Sequence, residues 1–228
     1  MIYDNSLHIH TEYSNERMLD CINKIPDIVN RALELNVKTI AITDHSSISG
    51  HIQAIKLQKQ LIQDGKDLRI LLGDEIYLVD SVEETKDTYQ GSITKFPHFI
   101  LIAKDEIGYR QLREIDSTMW ENSWLTGKLR RTLIDKSQLE NIIGNNKGHL
   151  IAQTACLGGE LALLVMNYLD NPTSDNKILI HQFIMWCIDI FGKDNFAIEI
   201  QPSKKEIQGD SQIEFNKLCN GIEPFDVF

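Results

Sequence analysis

The stretch VKTIAITDHSSISG, residues 37–50, runs from seven residues of strand character into a polar turn that carries Asp44 and His45. Its β-branched and apolar residues suit a buried strand, and Ser46 or Ser47 suits the start of a helix. A polar helix is expected over about 48–64, stopping near Gly65. The same order recurs on both sides. SLHIH (6–10) reads as a strand, followed by the helix IPDIVNRALELN (25–36). That helix has Ile25, Ile28, Val29, Ala32 and Leu33 on one face and Pro26 in its first turn. LRILLGDEIYLV (68–79) is a strand with an expected break at Gly73, and HFILIAK (98–104) is another, leading into the helix EIGYRQLREIDSTMW (106–120). HLIAQT (149–154) and NFAIEI (195–200) are strands on either side of the very apolar helix KILIHQFIMWCIDIF (177–191). Six strand candidates alternating with helices predict an α/β protein with a mainly parallel sheet, barrel or doubly wound, as a single domain over 1–228. The polar stretch 80–97 reads as a surface excursion, and 122–136 as an irregular, locally basic insertion.

Composition narrows the function classes. Of 228 residues, 42% are hydrophobic and 25% charged, enough for a real core. The net charge of -10 argues against broad nonspecific binding to nucleic acid or anionic membrane, while leaving room for a local basic patch. No apolar run is long enough to span a bilayer, so no membrane partner is expected. Cys21, Cys156, Cys187 and Cys219 are far apart and form no C-x-x-C pair, and no export signal is visible at the N-terminus. Free thiols in a reducing cytoplasm are the expectation. The glycine fingerprints of phosphate-loop and dinucleotide sites are absent.

In parallel α/β folds, ligands collect at the carboxyl ends of the strands. His8 and His10 end the first strand, two residues apart, so an extended backbone points both rings the same way. Asp44 and His45 end the second strand, Glu75 follows LLGD in the third, and Cys156 follows LIAQT. His98 opens its strand, which in an all-parallel sheet would place it at the other end. Each has an ordinary reading alone: Asp44 as a helix cap, Glu75 as an edge residue, Cys156 as a small buried hydrophobe. Together they form a set of imidazoles, carboxylates and a thiol on one rim. Such donors suit zinc, and the nitrogen and oxygen donors also suit manganese. Two ions about 3.5–4 Å apart, bridged by one carboxylate, would stabilise both the attacking and the leaving oxygen at phosphorus. His51, His149 and His181 attract no such argument.

Taken together, HIHTEYS with MLD, AITDHSSISG, LLGDEIYL, HFILIAKDEIGYRQL and TACLGGE resemble, in this order, the polymerase-and-histidinol-phosphatase (PHP) domain, and more closely the PHP domain of bacterial and phage DNA polymerase III alpha subunits. The resemblance runs from about residue 5 to about residue 219. It implies a distorted (β/α)7-type barrel holding two or three divalent ions, zinc or manganese. It also implies a ligand set of His8, His10, Asp20, His45, Glu75, His98 and Cys156, with Asp44 as a supporting neighbour of His45. Residues 15–17 (NER) lengthen the turn before MLD and make Glu16 a rival to Asp20. The family's last strand, with its Asp-x-His pair, has no counterpart before Phe228, so the resemblance implies a barrel lacking its seventh strand. No polymerase palm, fingers or thumb is present in the sequence.

The resemblance implies a metal-dependent phosphoesterase, with a 3′–5′ exonuclease on DNA ends as the leading form. Glu75, His10 and His45 then sit at the catalytic centre, and Arg130 and Arg131, in the basic run with Lys128 and Lys136, are candidate phosphate contacts. A non-catalytic docking module of a replicative polymerase is the alternative, and a histidinol-phosphatase-type small-molecule phosphatase the third reading. The implied partners are a DNA 3′ end and the remainder of a replicative polymerase or other replisome subunits.

Overall fold

A computed structural model describes residues 4–16, 21–91 and 94–201. Six strands form one curled path. In spatial order they are β1 (Asn5–Ser6), β2 (Thr39–Ile42), β3 (Arg69–Val79), β4 (His98–Ala103), β8 (Leu150–Gln153) and β9 (Phe196–Ala197). Each overlaps one of the six strands expected from the sequence, although β1 shares only Ser6 with the expected 6–10, so His8 and His10 lie past its end rather than within it. β7 (Ile134–Asp135) adds a seventh by pairing with the far end of β3. β5 (Trp124–Thr126) and β6 (Leu129–Arg131) form a separate hairpin within the basic insertion. Whether any strand follows Gln201 lies outside the described residues.

The sheet is mainly parallel, with one reversal. β1–β2, β2–β3, β3–β7 and β8–β9 pair parallel, whereas β4 is antiparallel to both β3 and β8. The link between β3 and β4, residues 80–97 with α3 (Val82–Asp87), returns to the sheet at the same end it left, so β4 runs antiparallel to β3. The reversal also answers the puzzle of His98: the first residue of a reversed strand lies at the rim where the parallel strands end.

Two sequence expectations need correction. β3 is continuous through Gly73 rather than broken there. A Cβ at Gly73 would lie 2.8 Å from both the Leu101 carbonyl oxygen and Thr43 Cγ2, so this glycine permits close strand approach inside the curl. NFAIEI forms only a two-residue strand, and its last residues leave the ladder.

Period-two alternation sorts the side chains into layers. From β3, Ile70 and Leu72 join Ile40 and Ile42 of β2 beneath α1 (Ile25–Glu34) and α2 (His51–Gln63). Further along, Ile76 and Leu78, with Phe99 and Leu101 of β4, pack beneath α4 (Glu106–Glu121), α5 (Lys136–Ile143), α6 (Glu160–Asp170) and α7 (Ser174–Phe191). The inner face carries Ala41, Ile100 and Ile102 with Leu7, Leu71 and Ile151, a small apolar plug at the base of the curl. Each fully buried Ile, Leu or Phe contributes about 1.5–3 kcal/mol. The apolar α7 is explained without a partner along most of its length, since Ile180, Phe183, Ile184, Cys187, Ile190 and Phe191 face the sheet. No helix among the described residues is long and apolar enough to cross a membrane.

Candidate metal centre

Parity decides what fills the curl above the plug. Glu75 and Tyr77 share the inward face of β3 with Leu71 and Gly73, and His98 shares the inward face of β4 with Ile100 and Ile102. Glu75 is only 1% exposed, and four imidazoles converge on it. Its Oε2 lies 2.9 Å from His10 Nε2, 3.1 Å from His45 Nδ1 and 3.4 Å from His8 Nε2. Its Oε1 lies 2.8 Å from His98 Nδ1. Cys156 Sγ stands 3.6 Å from the same nitrogen, His98 Nδ1.

Local chemistry brings these groups in. The 7–10 segment extends β1 beyond its ladder, and Thr43 holds Ile9 twice: Ile9 N donates to the Thr43 side-chain Oγ1, and Thr43 N donates to the Ile9 carbonyl. This extended backbone turns both rings to one side, with His8 Nε2 and His10 Nε2 only 2.9 Å apart. His45 forms a parallel bridge with Glu75 just past the end of β2. Ser46 (φ 48°) and Ala155 (φ 59°) adopt left-handed backbone immediately after His45 and before Cys156. Such conformations in non-glycine residues carry strain that the surrounding structure must hold, and they occur here where strands turn into the cup. The glycine pair of TACLGGE has steric roles. A Cβ on Gly158 would sit 3.2 Å from the His98 ring, and one on Gly159 would meet the Thr154 carbonyl oxygen at 2.0 Å.

Asp44 is not a helix cap. It is fully buried and accepts from Thr11 N at 2.6 Å, Thr11 Oγ1 at 2.8 Å and Ser14 Oγ at 2.7 Å. Ser14 Oγ in turn lies 3.1 Å from His10 Nδ1 and accepts from His45 N. Asp44 thus supports both His10 and His45 through one serine. α2 begins later, with Gly50 at its cap.

The sequence reading missed two residues at this centre. Tyr77 stacks on His45, its hydroxyl 3.2 Å from Nδ1. Glu199, two residues past the end of β9, lies 2.8 Å from His8 Nδ1 through Oε1. Both left a signal: Tyr77 shares the parity of Glu75, and Glu199 sits at a strand's carboxyl end like the other acids on the rim. Asp20 lies outside the described residues, as does the side chain of its rival Glu16. The basic insertion folds as a hairpin. Arg131 caps the Phe96 ring at 5.1 Å and donates to Thr126 Oγ1, whereas exposed Arg130 donates to Ser123 Oγ. Lys136 is committed to Asp80 and Glu160, each at 2.7 Å. The three remaining histidines stand apart from the cup: buried His51 faces the Gly73 carbonyl, His149 pairs with Asp105, and His181 is exposed on α7.

The electrostatics match a cation site. Burial would raise the Glu75 pKa, but hydrogen bonds from His10, His8 and His98 and the charge of His45 bring it well below the usual carboxylate value. Burial works against charge on His8, yet Glu199 and Glu75 outweigh it and hold its pKa at about 10. Burial likewise opposes charge on His98, and Cys156 and Glu75 raise its pKa to about 9. Two donor sets, His8–His10–Glu75 and His45–Glu75–His98, each place three ligand atoms within 4.8 Å of one another. Nitrogen and carboxylate donors clustered around one shared acid are compatible with divalent-metal binding.

A family model described as "PHP domain" matches residues 6–203. The chain is 38% identical over 226 residues to the "DNA-directed DNA polymerase" of Bacillus phage SPbeta, covering 95% of this chain. It is 35% identical over 196 residues to the "DNA polymerase III subunit alpha" of Borreliella burgdorferi, covering 86% of this chain. The chain spans 17% and 15% of the lengths of these two relatives. A crystal structure of a candidate metal-dependent phosphoesterase from Bifidobacterium adolescentis matches 51% of this chain and 34% of its own, at TM-score 0.31 and 18% identity, a likeness too partial to carry an argument.

Proposed function

The chain belongs to the PHP domain family, and on that premise we propose that its cup is a divalent-metal centre that hydrolyses phosphodiesters, acting as a 3′–5′ exonuclease on DNA ends. The observation that carries this reading is Glu75. It is a buried carboxylate ringed by four imidazoles and is common to two three-donor sets. An acid so placed bridges two sites at once.

Bound there, zinc or manganese would supply Lewis acidity toward a phosphoryl oxygen and lower the pKa of a coordinated water. His8, His10, Glu75, His45 and His98 would hold the ions, with Cys156 available beside His98. The protein's own part is positional. Asp44 and Ser14 fix the rings of His10 and His45, and Glu75 remains anionic at neutral pH. The apolar plug of Ala41, Ile100 and Ile102 closes the floor of the cup to water. Arg130, exposed on β6 and bonded only to the Ser123 hydroxyl among the hydrogen bonds described above, is the better placed of the two to meet a phosphate, while Arg131 acts first as the cation over Phe96.

The relatives are polymerases about six times longer than this chain, which supports the remainder of a replicative polymerase as the physical partner and a docking role alongside the chemistry. One experiment separates the two. The purified chain, loaded with Mn2+ or Zn2+, is incubated with a 5′-labelled single-stranded oligonucleotide, with Glu75→Gln as the control. Stepwise shortening that Glu75→Gln abolishes supports the nuclease. Metal uptake without cleavage leaves a structural metal centre in a docking module, and cleavage of histidinol phosphate alone points to a small-molecule phosphatase.

A further inference from the structure

We infer that Glu199 is a positioning residue of the metal centre: it fixes the His8 imidazole so that Nε2 faces the cup, and it ties the segment after β9 to metal binding. The inference rests on the metal-centre reading above and concerns what orients one of its ligands.

The two nitrogens of His8 face different ways. Nε2 looks inward, 2.9 Å from His10 Nε2 and 3.4 Å from Glu75. Nδ1 looks outward to Glu199 Oε1 at 2.8 Å. A carboxylate accepting the Nδ1 proton leaves the Nε2 lone pair for a cation, and such outer carboxylates set both tautomer and ring orientation of metal-binding histidines. Glu199 is itself held from two sides. Its backbone N–H donates to Thr154 Oγ1 at 3.0 Å, and Gln201 Nε2 donates to its Oε1 at 2.8 Å. Its other oxygen, Oε2, is buried and accepts no hydrogen bond among the described residues. A carboxylate with one buried, unbonded oxygen depends on the His8 imidazole and the Gln201 amide at its other oxygen for compensation, which makes the imidazole contact costly to break.

The placement has a topological consequence. β1 and β9 are the two ends of the six-strand path, and no ladder joins them. The His8–Glu199 contact links their extensions across the open side of the curl. By linkage, an ion that draws His8 into the cup favours the docked segment 198–201, and the docked segment favours the ion by the same factor.

Co2+ serves as the probe, because it reports both affinity and ligand geometry through its visible absorption. In the full chain, Glu199→Gln retains the shape and an acceptor oxygen but removes the charge. The dissociation constant for Co2+ is expected to rise about 10- to 100-fold, with the shape of the ligand-field bands unchanged. Glu199→Asp is expected to recover more affinity than Glu199→Ala, and it serves in place of the glutamine variant if that variant misfolds, as judged by circular dichroism. Unchanged Co2+ affinity in folded Glu199→Gln overturns the inference alone. Altered bands overturn it as well, since they make Glu199 a direct ligand. A wild-type chain that takes up no Co2+ removes the metal-centre reading, and the inference with it.

Discussion

Tyr77 lies flat against His45, with ring centroids 5.6 Å apart, an interplanar angle of 16° and its hydroxyl 3.2 Å from Nδ1. The same tyrosine meets His98 edge-on at 4.9 Å, so a single buried ring braces histidines delivered by two different strands. Tyr77→Phe keeps both ring contacts and removes the hydroxyl. We expect a loss of about 0.5–1.5 kcal/mol in the metal-free fold, read as a lower urea midpoint with an unchanged slope. Metal affinity should fall with it. Equal midpoints and equal affinity would remove the hydroxyl from the account of His45.

The two glycines of TACLGGE should respond differently to alanine. At Gly159 the new methyl would meet backbone, the Thr154 carbonyl oxygen at 2.0 Å, and a shift of the whole turn is required. A cost of about 3 kcal/mol or more is expected from thermal or urea unfolding. At Gly158 the methyl meets only the His98 ring, 3.2 Å away, and a side chain can move. Stability should change by about 1 kcal/mol or less, while metal affinity falls about tenfold as His98 is displaced. A Gly158→Ala protein with wild-type metal binding would contradict the position assigned to His98.

Asp44→Asn tests the support behind the histidines. The amide keeps the size but turns a nitrogen toward donors that now face an oxygen, among Thr11 N, Thr11 Oγ1 and Ser14 Oγ. A destabilisation of about 1–3 kcal/mol is expected. Weaker metal binding should follow, because Ser14 loses the acceptor that fixes it beside His10. A substitution that lowers stability but leaves metal affinity intact would show that the Ser14 relay does not orient His10.

The pH dependence has a definite sign. His8 and His98 have folded pKa values of about 10 and about 9, above their ordinary 6.5. Their protonated forms therefore stabilise the metal-free fold fully below about pH 6.5, and that contribution disappears as pH rises through about 9 and 10. Thermal melts of chelator-treated protein should drop over that alkaline range. A metal ion competes with those protons, so its uptake releases them and its apparent affinity rises from neutral pH toward about 9. Calorimetric titration with Zn2+ in two buffers of different ionisation enthalpy reads the proton release directly. A flat affinity with no proton release would show that the imidazoles are already neutral.

Much of the centre could be read along the chain. Alternation is a local property of extended backbone, so the inward partners of Glu75 and His98 follow from counting by twos through LRILLGDEIYLV and HFILIAK. The position of the H-x-H pair, Asp44, His45 and Cys156 just past apolar runs placed them at strand ends. What local pattern cannot carry is direction and pairing. That β4 runs backwards, and so brings His98 to the common rim, depends on how its carbonyls and amides find β3 and β8, with paired residues up to 53 apart in sequence (Ile100 with Gln153). The contact between His8 and Glu199 closes a gap of 191 residues, and only the curl of the whole sheet brings the two together. Ser14 beside His10 and Tyr77 beside His45 are likewise decided by close packing around buried charge. Hydrophobic period is written residue by residue, whereas the partners of a buried carboxylate are chosen by the shape of everything around it.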